Sequence, residues 1–118
     1  MIILNLIVSA KEQIDAIVNC LLKNKFALHV VVGDAIDSYP LNSSGIKMHS
    51  VVYTIQFATK SLLFSEIEAS LKKEFPDIDF YSYAAPIVHI NTAFYDKIKN
   101  RVTGLNFLDK EKEEIINM

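Results

Sequence analysis

The sequence predicts an α+β sandwich: a ferredoxin-like βαββαβ order with a four-stranded antiparallel sheet, two helices on one face and a C-terminal helix. Three observations carry this expectation. Apolar, β-branched runs at 2–8 and 51–58 each lead into a helical stripe. The run 51–58 sets Val51, Tyr53, Ile55 and Phe57 on one face and Thr54 and Gln56 on the other, as antiparallel pairing with unequal faces requires. No domain boundary is visible between the two βαβ halves.

Residues 2–8 (IILNLIV) read as a central strand. Ser9 and Glu12 then match a capping box, and Ile14, Ile17, Val18, Leu21 and Leu22 form the apolar stripe of a first helix. Lys23 and Lys25 suit its negative end. Residues 26–32 form the expected second strand, Gly33 and Asp34 end it, and residues 38–47 carry loop signals. After the third strand, a second helix begins past Thr59 or Ser61. It buries Phe64, Ile67, Leu71 and Phe75 and stops at Pro76. Residues 84–90 (AAPIVHI) read as the fourth strand, with Pro86 pointing to an edge or a bulge. A third helix, capped by Asn91 or Thr92, buries Phe94, Ile98 and Val102 and ends at Gly104. The division is thus a domain at 1–103 and a helical tail at 104–118.

One chain of 118 residues is enough to bury roughly two thirds of its unfolded surface. A net charge of −2 gives no electrostatic footprint for nucleic acid, so no nucleic-acid partner is expected. No run approaches the ~20 apolar residues that span a bilayer, nor is there a basic amphipathic stretch, so no membrane partner is expected either. The start has no basic region before its apolar run and reads as a mature strand. Cys20 stands alone, which excludes an internal disulfide and fits a cytoplasmic location. It adjoins the first helix's stripe, as a small buried hydrophobe would.

Three histidines, His29, His49 and His89, are the candidates for metal ligation, because neutral imidazole suits copper, zinc and nickel. No local spacing unites them, so a site must be assembled from separate strands or subunits. His29 and His89 are the candidate metal ligands; the ordinary role of a lone strand histidine is a hydrogen-bonded structural one. His49 adjoins a serine-rich loop and reads as exposed. Asp77 and Asp79 share a side if their segment is extended, where a solvated face accounts for them. Ser43 and Ser44 have no evident base, and no nucleophile–base pair emerges, so an enzyme is not expected.

Alternation turns Phe26, Leu28, Val30 and Val32 toward the helices and Ala27, His29 and Val31 away. With Ile3, Asn5, Ile7, Val52, Thr54 and Gln56 they make a second sheet face, too apolar for water and too polar for an ordinary core. Packing copies of this face together solves both problems, which places Asn5, His29, Thr54 and Gln56 at an expected subunit interface.

The chain resembles the CutA family of divalent-cation tolerance proteins, which share a ferredoxin-like fold with the PII signalling proteins. The resemblance rests on KFALHVVV from Lys25, similar to a basic-apolar-Ala-Ala-Cys-Val-Asn-Ile strand, with His29 at the cysteine. It rests also on Ser38-Tyr39 followed by Gly45-Ile46-Lys47, on Thr59, Phe64 and Ile67, on Phe75-Pro76, and on PIVHINTAFYDKI from Pro86. Departures are the absence of tryptophan, PLNSS in the hairpin, DIDFY where the family has carboxylates, and Ala58 in place of a lysine. The resemblance implies a homotrimeric, non-enzymatic binding protein in divalent metal tolerance or response, with no cofactor beyond a divalent cation such as copper. The alternative is a PII- or ACT-like regulatory module that binds a small metabolite or anion between subunits.

Overall fold

A computed structural model describes residues 1–103; the expected helical tail and the helix end at Gly104 lie outside the described residues. Strand β1 (Ile2–Val8) is the middle of the sheet. It runs antiparallel to β4 (Ser50–Thr59) on one side and to β5 (Phe80–Pro86) on the other. Strand β2 (Val30–Val32) pairs with the far edge of β4, giving the order β2-β4-β1-β5. Leu4, Leu6 and Val8 sit opposite Phe57, Ile55 and Tyr53, so this parity builds the helix-covered face. Helix α1 (Ile14–Lys23) closes over it with Ile17 and Leu21, and α2 (Phe64–Glu74) with Ile67 and Leu71. Helix α3 (Thr92–Arg101) adds Ile98, and Val102 follows it into the same core. The antiparallel α+β sandwich is therefore present.

Several elements differ from the sequence reading, each for a local reason. The capping box is not formed. Ala10 is extended, a 3-10 turn at Lys11–Gln13 precedes α1, and neither start is capped by a side chain. Ser9 stands five residues before the helix proper, too far to reach its first free amides. Leu22, expected in the stripe, is exposed.

The second strand is shorter than residues 26–32 because Phe26 and Ala27 belong to a turn. The Phe26 amide donates to the Leu21 carbonyl (3.0 Å) and the Lys25 amide to the Leu22 carbonyl (3.1 Å), a Schellman ending with Lys25 at φ +57°. The Phe26 carbonyl accepts from the buried Thr59 hydroxyl at 2.7 Å. With its amide and carbonyl so engaged, Phe26 is outside the ladder, yet its side chain and Ala27 are both in the core.

Residues 38–47, expected as loop, begin inside a fifth strand, β3 (Ile36–Ser38), which pairs with β4. Val32 sits opposite Ile55 and Ile36 opposite Val52, so one strand takes four steps where the other takes three. That extra residue is a β-bulge at 33–35. Gly33 begins it: its amide donates to the Thr54 carbonyl (2.8 Å), and an added Cβ would strike the Thr54 Oγ1. The arm closes in a turn where Asn42 Oδ1 accepts from the Ser44 and Ile46 amides, both 2.9 Å, with Gly45 at φ +77°.

The last strand is β5, not residues 84–90. Pro86 ends it on an edge, as its missing N–H demands. Residues 87–90 leave the sheet, and Asn91 caps α3 by accepting from the Phe94 amide at 3.1 Å. Asp77 lies in a turn rather than an extended run.

Two stability changes of opposite sign follow. Thr59→Val strands the buried Phe26 carbonyl and should cost about 1–3 kcal/mol in urea unfolding. Lys25→Gly relieves the left-handed backbone and should gain roughly 0.5–1 kcal/mol by the same measurement, net of the flexibility glycine adds to the unfolded chain.

Candidate functional site

The face of the sheet opposite α1 and α2 is the most distinctive surface of the molecule. Ile3, Asn5 and Ile7 of β1 sit opposite Ala58, Gln56 and Thr54 of β4 and opposite Ala85, Tyr83 and Tyr81 of β5. Val31 of β2 completes the row opposite Gln56. Ile3, Val31, Tyr81 and Tyr83 are exposed, the two tyrosines at 73% and 53%. Asn5 is only 7% exposed although no described helix covers this face, because Gln56 and Tyr83 flank it on either side. Thr54 is half-buried and Gln56 exposed.

At the end of this face where β1 begins, residues 87–91 and the start of α3 form one wall of a groove of about 460 Å³. His29 and His89 both line it, together with Gln56 and Asn91 and apolar surface from Val31 and Phe94. The structure thus brings the two histidines singled out in the sequence onto one groove, from the segment before β2 and the segment after β5. Both are exposed. Among the described residues no group of three or more His, Cys, Asp or Glu side chains is placed to hold a metal ion. Two imidazoles fall short of the three or four protein donors of a closed zinc or copper site, so the described residues of one copy do not complete one.

His49 lies elsewhere, on the arm. Its Nε2 is 2.9 Å from Asp37 Oδ1, its ring is 5.2 Å from that of Tyr39, and Lys47 Nζ stands 4.9 Å over the Tyr39 ring. It is exposed, as the sequence indicated, but partnered. Around it Ile36, Leu41, Ile46, Met48 and Val51 are exposed as well, Leu41 at 72%. Val51, expected against the helices, lies beyond them. Cys20 is buried in the core, and the Asn24 amide donates to its carbonyl oxygen at 2.8 Å. Burial, and then the neighbouring Glu74 carboxylate, push its thiol above the ordinary 9.0.

The sequence reading missed the two β5 tyrosines and the apolar arm. Tyr81 and Tyr83 were visible as the alternate residues of FYSYAA, had the strand been placed there.

No family model matches the chain, and no curated protein matches it in sequence. Solved structures do. The periplasmic divalent cation tolerance protein CutA from Archaeoglobus fulgidus superposes with a TM-score of 0.77 at 22% identity, over 87% of this chain and 100% of that one. CutA1 from Oryza sativa gives 0.78 at 18% identity, over 88% and 94%. The divalent cation tolerance protein from Thermus thermophilus gives 0.78 at 17%, over 87% and 100%. The chain therefore has the CutA fold across nearly the whole of those proteins. No helix among the described residues is long and apolar enough to cross a membrane.

The raised Cys20 thiol gives a pH dependence of definite sign. The folded state holds the proton more tightly than the unfolded one, so its contribution is complete below the ordinary 9.0 and is lost as pH rises through the higher folded value. Urea unfolding from pH 8 to 11 should show stability falling on the alkaline side, with a shallower fall in Cys20→Ala.

Proposed function

We propose that this chain is a divergent CutA-like protein: a non-enzymatic, cytoplasmic binding protein that works as a homotrimer in tolerance of or response to divalent metal, copper in particular. The observation that carries the reading is the uncovered sheet face with its apolar arm. Ile3, Val31, Tyr81 and Tyr83 on the face, and Leu41, Ile46 and Met48 on the arm, are too many large apolar side chains for an isolated surface. Another copy of the same chain covers both at once, and its symmetry repeats the covering. Asn5, Thr54 and Gln56 then bond across copies, and each groove is set beside others of its kind. His29 and His89 of one copy meet donors from the next, which adds to the two ligands found among the described residues of one copy. The lone buried cysteine suits a reducing compartment.

The fold likeness to divalent cation tolerance proteins supports the metal side of this reading. Among the described residues the groove's polar groups are two imidazoles and two amides, an inventory that suits binding.

Light scattering at micromolar concentration should give the mass of a trimer, and Val31→Glu, which charges the exposed β2 side of the face without touching the core, should give a monomer. A monomeric wild type overturns the assembly. Calorimetric titration of the trimer with Cu(II) should lose roughly tenfold or more in affinity for each of His29→Ala and His89→Ala. Equal binding by wild type and both variants would remove the histidines from the site.

A further inference from the structure

A second cavity, on the helix side of the sheet, is built by the bulge. It has a volume of about 440 Å³, within the ordinary range for small-molecule sites, and lies where β2 gives way to β3 beside the start of α1. Lys11, from the 3-10 turn, and Asp15, in the first turn of α1, line it on one side. Asp34 lines it from the bulge, and Ile14, Val32 and Tyr53 supply apolar surface. None of Lys11, Asp15 and Asp34 makes an ion pair among the described residues. Charges of both signs thus face one small cavity without answering each other.

We infer that this cavity binds a zwitterionic α-amino acid with an aliphatic side chain. The charge inventory selects that class. A carboxylate pairs with the Lys11 ammonium, an α-ammonium donates to the Asp15 and Asp34 carboxylates, and the side chain lies along Ile14, Val32 and the Tyr53 ring. A dicarboxylate meets two like charges, a diamine leaves Lys11 opposed, and a divalent cation is repelled by Lys11. The bulge is what makes the site. Gly33 is held against Thr54, so the extra residue falls at 34–35, which places Asp34 on the cavity. Were the ladder continuous here, Asp34 would stand opposite Tyr53 as an ordinary strand residue. Bulges of this kind commonly re-aim a side chain next to a ligand site.

The cavity is on the opposite side of the sheet from the open face that carries Ile3, Val31, Tyr81 and Tyr83. It goes beyond the metal-binding reading and stands or falls separately from it.

The test is amide chemical-shift titration of the full chain with L-leucine, 3-methylbutylamine and 4-methylpentanoate, which share the side chain and differ in the charged groups. Leucine should shift the amides of Lys11, Gly33, Asp34 and Ala35 with millimolar affinity, and each singly charged analogue should bind at least about tenfold more weakly. Lys11→Gln should abolish the preference for leucine over the amine, and Asp34→Asn should reduce that over the acid, which the Asp15→Asn/Asp34→Asn double variant should abolish. All three residues are exposed, so an unchanged spectrum in β1 confirms that the variants fold. The inference is overturned if leucine causes no shifts at these amides up to about 20 mM, if the three compounds bind equally, or if the variants bind leucine as the wild type does.

Discussion

Strand β1 is hydrogen-bonded along its whole length on both sides, to β4 and to β5, and the rest of the molecule is arranged around that double ladder. A strand paired on both edges cannot slip, because a shift of one residue would turn Leu4, Leu6 and Val8 to the open side and Asn5 into the core. The helices have a fixed apolar stripe to meet, and the open face has a fixed composition. Both the buried core and the exposed surface that needs a partner are therefore consequences of one register. Asn5 shows how closely the strands pack there: it is only 7% exposed on a face that no described helix covers, flanked by Gln56 and Tyr83.

The arm is a consequence of unequal strand lengths. β4 has ten residues, and β1 pairs only with its last seven, Tyr53 to Thr59. Among the described residues the remaining three are paired by β3 alone. Large apolar residues placed there, Ile36 and Val51 among them, are necessarily exposed in a single chain. The bulge between β2 and β3 adds twist at the point where the arm leaves the body, and it is also what opens the cavity beside α1. One extra residue in the ladder thus sets the course of the arm and the shape of a pocket.

Long periodic elements were legible in the sequence. The stripe of α1, that of α2 and the alternation of β4 each rest on repeated spacing, and the side of the sheet that carries His29 followed from Leu28 and Val30 taking the other. The elements that were not legible depend on where individual backbone groups find partners. Phe26 looks like a strand residue, but its amide closes a Schellman turn and its carbonyl takes the Thr59 hydroxyl, a partner 33 residues away. Ser9 looks like a cap, but an intervening 3-10 turn moves the helix beyond its reach. β3 is three residues long and follows a bulge, so its alternation is too brief and out of phase to register. The convergence of His29 and His89 on one groove was invisible for the same reason, since it depends on residues 87–90 leaving the sheet after Pro86.

An apolar face of this size raises the question of why it should give a closed assembly rather than an aggregate, and the edges of the sheet supply an answer. β5 ends in Pro86, which cannot extend a ladder through its nitrogen, and the chain leaves the sheet once the Ile87 amide has bonded the Met1 carbonyl (3.1 Å). β2 is only three residues long before the bulge breaks it, so the opposite edge offers no long, flat template either. Edge-to-edge growth is therefore discouraged on both sides. What remains attractive is the face itself, where apolar side chains are interrupted by Gln56 and Thr54, groups that must find partners when water is excluded. A face that demands specific polar matches admits few arrangements of copies. The polar residues that weaken this surface as a core are thus the ones that restrict how it can assemble.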